Sequence, residues 1–596
     1  MKKRAVILFV TVLCALCAGA ANYGILVNGK TYFAAEYRGK DANTGTYDEY
    51  LAHVNIQKGD YCQLCDVDYE AQWAVDLDTW SVAGFRRDGN RYTASVTGCY
   101  DFYIKLKYGE DQLYIGPGSG CGSGEDYATM FKGSVPRECG AVLMQAFYNE
   151  SYRSDAPGVS EYGDTKWATL LPQAGEIGRY FDYVWLPPSA YGDGAGYHPK
   201  QYSNQNSNWG TREELETLIG ALHQAGSKVV ADVVINHCEG WSSWCDFPEM
   251  DFGEYGVFHP DGSYICKGDE VNLNPDAGEC YGKATGHDDD GDNWSGARDW
   301  AHDDPKVQKM FIAYLKWLRN VMHYDGFRYD KGDGFNNWHH YHYNKEAMPE
   351  IAFMECYCGD DKIIEGIEGS KRTLMGLDFQ TKWQAFDAIA GWDYSKCKGS
   401  GLLGRGYAKY AVTFIESHDW FLRPDNQNEF GGRGNSMKPE LKARLLQANA
   451  FLLSMPGVPC VFYPHWHKYK EELKPMIEAR RLAGVHSESE VKDEYAEQGG
   501  YQATIAGKYG WLIVCLGDKA NKKGFGSDYK LMASHYSTMM GHNESYEIWV
   551  HRTAPVATGL ESLPPSPTGT RKVLRDGRLY LIYNGLMYNV QGTRIN

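Results

Sequence analysis

Three features are scarce in this sequence of 596 residues, and each scarcity argues against one kind of protein. Lys and Arg number 60 against 77 Asp and Glu, so the formal net charge is −17. Such a charge argues against nucleic acid or an anionic membrane as the main partner. Beyond the N-terminus no apolar run is long enough to span a membrane. One C-x-x-C, Cys62 to Cys65, has no second pair, which makes zinc a weak interpretation.

Residues 1–20 have the pattern of a secretory signal peptide. Residues 1–4 carry three basic side chains, 5–16 are apolar, and 18–20 are small. We therefore expect an exported, secreted or extracellular protein. Of the 16 cysteines two lie in this segment, and the others could form disulfides outside the cell, in a pairing that spacing cannot give.

Residues 21–115 consist of short alternating runs separated by Gly, Asn and Asp turns. This pattern predicts an N-terminal β-sandwich. Residues 116–130 are rich in Gly and predict a linker.

Between 131 and 484 strand-like runs alternate with helical periodicity, which predicts an α/β domain. A capping box at Thr211–Glu214 opens one helix, and Gly226 ends it. Asp304-Pro305 opens another helix directly before a strand. Residues 238–303 interrupt the alternation with many Gly, Asp and Trp residues, and predict a long irregular insertion.

Two short apolar runs, Gly326–Asp330 and Ile351–Glu355, each end in a carboxylate. Residues two apart in a strand share a face, so Arg328 lies beside Asp330 and keeps it ionised. For one run alone, an ordinary salt bridge at a strand end is the simpler explanation. Two carboxylates that flank a sugar C–O bond are the minimum equipment of a glycosidase.

Two further runs, Val229–His237 and Ala411–Asp419, also end in polar residues. The four runs in this order resemble the four signature segments of the α-amylase family of glycoside hydrolases, over about 130–480. The resemblance implies a (β/α)8 TIM barrel with an irregular insertion after strand 3, flanked by N-terminal and C-terminal β-sandwich domains. The N-terminal domain resembles accessory starch-binding modules. Trp73 and Trp80 would then stack on sugars, or else lie in its core.

The resemblance assigns roles to particular residues. Asp330 matches the nucleophile, Glu355 the acid/base, and Asp419 the third carboxylate, which stabilises the transition state. The residues that match sugar-binding or orienting positions of the family are Arg328, His237, His418 and Tyr197.

Calcium is implied by the same comparison. Asn236 matches an amide ligand, Asp299 a carboxylate ligand from the inserted domain, and Gly334 a carbonyl ligand. Asp292 is a further candidate within an acidic run, 288–292, which a solvated loop would also explain.

Three departures from the family pattern affect the product pattern and calcium affinity more than the reaction. Asp333 stands where many relatives have a lysine, and Lys331 lies next to Asp330 instead. Ser417 replaces the usual asparagine, and Ala301 replaces a second aspartate of the insertion.

The chain is therefore expected to hydrolyse internal α-1,4 bonds of starch, glycogen or maltooligosaccharides with retention, as a monomer. A transglycosylase, a maltogenic or a debranching enzyme of the same family is the first alternative. A non-catalytic starch-binding surface protein is the second, and the intact carboxylate set argues against it.

Residues 485–555 predict a C-terminal β-sandwich. Residues 556–596 predict a linker and either a sorting tail that attaches the protein to the cell surface or one more hairpin.

Overall fold

The computed structural model describes residues 23–551, except 68–70, 80, 108–109, 119, 128–129, 132, 157, 293–295, 420, 422–443, 521–523 and 540, and strands between 570 and 595. The predicted signal peptide and Trp80 lie outside these residues. The chain divides into two compact units, Met1–Gly133 and Ser134–Asn596. Among the described helices, none combines the length and apolar character that a membrane crossing requires.

Ten strands of the first unit form one antiparallel sheet, in the order β6-β7-β4-β1-β2-β3-β8-β9, with β5 beside β4 and β10 beside β2. They are β1 (Tyr23–Val27), β2 (Thr31–Lys40), β3 (Asp48–Ile56), β4 (Tyr61–Asp66), β5 (Ala71–Trp73), β6 (Phe85–Asp88), β7 (Arg91–Ala94), β8 (Gly98–Leu106), β9 (Gln112–Pro117) and β10 (Glu125–Asp126). Ile25, Phe102 and Ile115, from both halves of the sheet, share one buried cluster. The two halves of the sheet therefore pack over one main core, as in a sandwich.

The C-x-x-C of this unit lies on β4 with its two thiols on opposite faces. Cys62 belongs to the main core and Cys65 to a second, smaller cluster. Residues three apart in a strand point to opposite sides, so these thiols cannot bind one metal ion. Burial raises the pKa of Cys62 to about 12. Trp73 packs partly buried against the main core.

The second unit is built on a closed barrel of eight parallel strands, β11, β12, β15 and β20 to β24. The strands of this region are β11 (Leu143–Gln145), β12 (Tyr183–Trp185), β13 (Tyr191–Asp193), β14 (His198–Gln201), β15 (Lys228–Val233), β16 (His237–Cys238), β17 (Met250–Asp251), β18 (Val257–Phe258), β19 (Arg298–Asp299), β20 (Gly326–Tyr329), β21 (Ile351–Met354), β22 (Met375–Leu377), β23 (Ala411–Phe414) and β24 (Val458–Phe462). The predicted TIM barrel is confirmed. Its strands β20 to β24 are buried along their whole length, which explains their apolar sequences.

Helices surround the barrel, and two of them, α4 and α6, begin where the sequence predicts. The α-helices are α1 (Val159–Tyr162), α2 (Trp167–Leu170), α3 (Ala174–Tyr180), α4 (Arg212–Ala225), α5 (Glu270–Leu273), α6 (Pro305–Asn320), α7 (Asn337–Ala347), α8 (Asp360–Gly369), α9 (Phe379–Thr381), α10 (Asp387–Ala390), α11 (Gly401–Gly404), α12 (Leu445–Ser454) and α13 (Tyr463–Ala483). Shorter helical turns cover Leu171–Gln173, Gly253–Tyr255, Gly262–Tyr264, Pro275–Cys280, Lys382–Phe386, Tyr394–Cys397 and Ala408–Tyr410. Both hydrogen bonds of the predicted capping box at Thr211 are present, and Gly226 ends α4 with a φ of 100°.

Where the structure describes the segment between β15 and α6, it consists of short strands, the short helix α5 and turns, in agreement with the predicted irregular insertion. Its β16 pairs with β19, so that His237 lies opposite Asp299. A disulfide joins Cys245 to Cys280. The pairing of β16 with β19 returns the inserted segment to the barrel mouth, next to the end of β15.

Antiparallel strands follow the barrel. They are β25 (Glu490–Glu497), β26 (Gly500–Ala506), β27 (Trp511–Gly517), β28 (Tyr529–His535), β29 (Thr538–Met539), β30 (His542–Asn543), β31 (Tyr546–His551), β32 (Thr570–Arg575), β33 (Arg578–Tyr583), β34 (Leu586–Asn589) and β35 (Arg594–Ile595). Five of them form a sheet, β25-β26-β27-β31-β28, and Ile505 and Val514 of this sheet join the core cluster of the barrel. The strands β32 to β35 form a sheet of their own where a tail or a hairpin was expected.

Candidate active site

One buried arginine gathers three carboxylates at the mouth of the barrel. Arg328 Nη1 donates to Asp232 Oδ1 at 2.7 Å and to Asp330 Oδ1 at 2.8 Å. Arg328 Nη2 donates to Glu355 Oε2 at 2.5 Å. The Arg328 side chain is only 1% exposed, so these ion pairs are shielded from water.

The positions of these residues follow from strand geometry. Asp232 and Arg328 lie opposite each other in neighbouring parallel strands, β15 and β20. Asp330 is two residues beyond Arg328 and so shares its face. Arg328 also lies opposite Phe353 of β21, which places Glu355 level with Asp330. The predicted pairing of Arg328 with Asp330 is therefore present, and Glu355 joins it.

Burial sets the protonation of the two principal carboxyl groups. Burial raises the pKa of Asp330 to about 6, against the lowering effect of Arg328. Burial raises the pKa of Glu355 to about 8, again opposed by Arg328 and reinforced by Asp419 and Asp330. Between these values Asp330 is ionised while Glu355 holds a proton. One carboxylate can then act as a base or nucleophile, and the other as an acid.

Asp419 lies at the end of the seventh barrel strand together with His418. Asp419 Oδ1 is 3.4 Å from His418 Nε2, and its Oδ2 accepts a hydrogen bond from Ser417 Oγ at 3.2 Å. The serine that replaces the usual asparagine thus orients this carboxylate. His418 Nδ1 lies 2.8 Å from Gln145 Nε2 of β11.

Tyr197 and His237 also line the site. The Tyr197 ring stacks on His418 with centroids 5.0 Å apart and an interplanar angle of 13°. Its hydroxyl donates to Asp232 Oδ2 at 2.8 Å. His237 Nε2 lies 2.9 Å from the Tyr197 carbonyl oxygen, and burial lowers the pKa of His237 to about 3. A neutral His237 is suited to hydrogen bonding with sugar hydroxyls.

These groups line a cleft of about 880 Å³. Its lining residues include Phe147, Tyr148, Asn149, Glu150, Asp193, Tyr197, His198, Trp209, His237, Asp292, Asp330, Lys331, Asp333, Glu355, Tyr357, His418 and Asp419. Loops after β11 and β20, three strands apart in the closed barrel, both contribute. The cleft therefore crosses the barrel mouth and is large enough for several sugar units.

Sequence reasoning missed Asp232 and Gln145. Asp232 accepts hydrogen bonds from Tyr197, from Arg328 and, at 3.0 Å, from Trp185 Nε1. A carboxylate within the otherwise apolar run Val229–Ile235 was a usable signal, since buried charges are retained where they are paired. For Gln145 no local signal exists, because its partner His418 is 273 residues away.

Asn236 lies close to both other predicted calcium ligands. Its carbonyl oxygen accepts a hydrogen bond from the amide of Trp300, the residue after Asp299, and its side chain lies against Gly334. Both carboxylate oxygens of Asp299 are buried, and among the described residues neither has a hydrogen-bond partner. Burial, together with Asp289, Asp269 and Glu270, raises the pKa of Asp299 to about 8. A Cβ on Gly334 would lie 2.1 Å from Asn236 Oδ1, so only glycine allows this approach.

Asp292 occupies a different environment. Its Oδ2 is 2.6 Å from Lys331 Nζ, and the same ammonium is 3.0 Å from Asp333 Oδ1. The side chain of Asp292 is 65% exposed. The lysine that directly follows Asp330 thus links the inserted segment to the barrel, and Asp333 at the usual lysine position holds it there.

A (β/α)8 barrel that presents an arginine-bridged pair of carboxylates in a sugar-sized cleft is the arrangement of a glycoside hydrolase. The family model for the α-amylase catalytic domain matches residues 176–355. The chain belongs to the α-amylase family of glycoside hydrolases.

Relatives agree with this assignment. The chain is 26% identical over 411 residues to probable α-amylase 2 of Arabidopsis thaliana, covering 65% of this chain and 90% of that protein. It is 26% identical over 420 residues to a glucan 1,4-α-maltotetraohydrolase of Roseateles saccharophilus, covering 64% and 68%. It is 33% identical over 124 residues to an α-amylase type B isozyme of Hordeum vulgare, covering 20% and 71%. The crystal structure of an Anoxybacillus α-amylase has the same fold, with a TM-score of 0.50, 16% identity, and coverage of 71% of this chain and 100% of that one.

Proposed function

We propose that this protein hydrolyses internal α-1,4-glucosidic bonds of starch- or glycogen-type glucans with retention of configuration. The observation that carries the proposal is the Arg328 guanidinium, which holds Asp330 and Glu355 together within the cleft. A shared guanidinium keeps the two carboxyl groups close. This favours the carboxyl separation of retaining enzymes, about 5–5.5 Å, over that of inverting ones. A cleft that crosses the barrel mouth accommodates glucan on both sides of the cleaved bond.

The proposed reaction assigns one step to each carboxyl group. Glu355 donates its proton to the glycosidic oxygen as that bond breaks, and Asp330 attacks the anomeric carbon to form a glycosyl ester. Glu355, now ionised, takes a proton from water, and the resulting hydroxide displaces Asp330. Asp419, His418 and the neutral His237 hold sugar hydroxyls and stabilise the positive charge of the transition state. Tyr197 provides an aromatic face for the same sugar.

The pH dependence of the reaction follows from the two pKa values. Asp330 is protonated below its pKa of about 6, and Glu355 loses its proton above its pKa of about 8. We therefore expect a bell-shaped profile of kcat/KM, with an acidic limb set by Asp330 and an alkaline limb set by Glu355. Initial rates on maltoheptaose from pH 4 to 10 measure both limbs. A rate that keeps rising above pH 9 would contradict a protonated Glu355.

We also propose that calcium binds Asn236, Asp299 and the carbonyl of Gly334. The buried Asp299 carboxylate, which lacks compensating donors among the described residues, supports this assignment. Calcium prefers such hard oxygen ligands, and its charge would keep Asp299 ionised. The ion would stabilise the junction between the inserted segment and the barrel. Asp292 stays a prediction, with its carboxylate on Lys331.

Calcium removal provides a test with two variants. Chelation should lower the Tm of the wild type by about 5 °C or more, because a ligand that binds only the folded state stabilises it. Asp299→Asn should lose most of this calcium response, measured by differential scanning calorimetry with and without chelator. Asp292→Asn should retain the response if that residue is no ligand. A wild-type Tm that is indifferent to calcium would rule out the site.

The alternatives within the family differ in product rather than in catalytic residues. The Roseateles saccharophilus relative is named a glucan 1,4-α-maltotetraohydrolase, so an enzyme named for one product length is among the similar proteins. Chromatography of early products decides between them. A ladder of many lengths indicates endo-action, a single short maltooligosaccharide indicates exo-action, and longer products indicate transfer.

The signal pattern of residues 1–20 supports export, which N-terminal sequencing of protein from culture medium would test. The monomeric state, starch binding by residues 21–115 and surface attachment through residues 556–596 stay predictions.

A further inference from the structure

The loop that follows Glu355 is closed by a disulfide between Cys356 and Cys358. This loop joins β21 to α8. The Cys358 amide donates to the Cys356 carbonyl at 2.8 Å, so the chain makes a tight turn inside the disulfide ring. The Glu355 carbonyl accepts a hydrogen bond from the Gly332 amide at 2.7 Å. The backbone is therefore fixed on both sides of the peptide that links Glu355 to Cys356.

The residue enclosed by the disulfide faces the substrate cleft. Tyr357 is among the lining residues of the cleft. Its ring packs edge-on against Phe379 and Trp383, with centroids 5.3 Å away in each case. Glu355, which donates to the glycosidic oxygen in the proposed reaction, lines the same cleft as Tyr357, so we expect the Tyr357 side chain to lie beside the departing sugar.

The disulfide also lies against the loop that follows Asp330. A carboxylate oxygen of Asp333 and the two sulfur atoms all lie within 4.8 Å of one another. Asp333 in turn holds Lys331, whose amide nitrogen is 3.5 Å from Glu355 Oε2. One covalent ring thus lies close to the loop that follows the proposed nucleophile and forms part of the loop that follows the proposed acid.

We propose that the Cys356–Cys358 disulfide is a positioning element for Glu355 and Tyr357. This proposal rests on the proposed function, glucan hydrolysis. The ring restricts the backbone dihedrals of three consecutive residues, and without it the segment from Glu355 to Gly359 gains conformational freedom. Productive geometry requires the acid to stay within a fraction of an ångström of the glycosidic oxygen. The disulfide therefore serves the reaction by keeping Glu355 and the wall beside the departing sugar in place.

The test compares wild type with Cys356→Ser/Cys358→Ser. The matched control is Cys99→Ser/Cys121→Ser, which removes a disulfide of the N-terminal unit. With maltoheptaose we expect the first variant to lose about tenfold in kcat/KM, mostly in kcat, because a displaced acid is less effective. The alkaline limb of its pH profile should also shift, since that limb reports Glu355. The control should keep the wild-type kcat, KM and pH profile.

Reduction of the wild type supplies a second arm without mutation. Dithiothreitol transfers two electrons and two protons to a disulfide, giving two thiols and the cyclic oxidised reagent. Alkylation and peptide mass spectrometry then report whether Cys356 and Cys358 are bonded before treatment and free afterwards. Activity should fall as these two thiols appear, and the Cys356→Ser/Cys358→Ser variant should show no such fall.

Four results separate the explanations. Free thiols at both positions in untreated protein would overturn the proposal. So would activity that stays at the wild-type level both in the Cys356→Ser/Cys358→Ser variant and after reduction of the wild type. A lower Tm with an unaltered pH profile and equal loss at every pH would also overturn it, because the disulfide would then only stabilise the fold. Wild type that hydrolyses no glucan in its oxidised form would instead refute the proposed function.

Discussion

Asp330→Asn should lower kcat on soluble starch by roughly 10⁴-fold or more. The amide has the shape of the carboxylate but cannot form a stable glycosyl ester. Its position is secured by the strand β20 and by Arg328 Nη1, 2.8 Å from the native carboxylate. The fold should remain intact. Reducing-sugar release with calcium present, at enzyme concentrations matched by circular dichroism, measures the loss.

Asp333→Asn is the matched control for this substitution. Asp333 lines the same cleft, but its carboxylate pairs with Lys331 rather than with Arg328. Its removal should change kcat by less than about tenfold, in line with a partly exposed ion pair. Comparable activity of Asp330→Asn and wild type would remove Asp330 from the mechanism. Equal, severe losses in both variants would show that the cleft tolerates no change of charge.

Glu355→Gln should lower kcat on starch by about 10²–10⁴-fold, the usual contribution of a general acid. The effect should depend on the leaving group. Maltosyl fluoride and dinitrophenyl maltoside release fluoride or dinitrophenolate, which depart without being protonated. With these substrates the glycosyl-enzyme should therefore form at nearly the wild-type rate. Azide, which needs no general base, should then accelerate turnover and give a glycosyl azide. The alkaline limb of the pH profile should disappear with the group that causes it.

Rates with starch and with the activated maltoside, measured with and without azide, give the comparison. A loss of the same size on both substrates would show that Glu355 does not act as the acid. Absence of any azide effect on the activated substrate would leave its role as base unsupported.

The barrel strands could be predicted from the sequence because each is buried on both faces. Such a strand appears as a short apolar run that ends in polar residues. Gly326–Tyr329 and Ile351–Met354 are examples. The sequence also predicted that Arg328 contacts Asp330, since strand geometry places residues two apart on one face. The capping box at Thr211 followed from local chemistry in the same way.

What the sequence left open depends on contacts between distant segments. Closure of the barrel brings Gln145 within 2.8 Å of His418, and register between β15 and β20 brings Asp232 to Arg328. Neither is encoded in a local pattern. The disulfide at Cys356 is the reverse case: its two cysteines are only two residues apart. Many pairings were open among the cysteines that follow the predicted signal peptide, so spacing gave no preference.

The insertion shows a third kind of limit. Its acidic run gave Asp292 and its match to the family gave Asp299 as calcium ligands. Only the structure separates an exposed carboxylate paired with Lys331 from a buried one without a donor in the described part of the chain. Burial of a residue in this insertion cannot be read from composition, because it depends on how the pairing of β16 with β19 folds the segment back.

The central claim is that Asp330 and Glu355 cleave α-glucosidic bonds through a glycosyl-enzyme with retention. Proton NMR of maltoheptaose hydrolysis during the first minutes, before mutarotation, tests it most directly. The account predicts that the α-anomer of the newly formed reducing end appears first and later equilibrates with the β-anomer. Initial release of the β-anomer would show inversion and contradict the role of Asp330 as nucleophile.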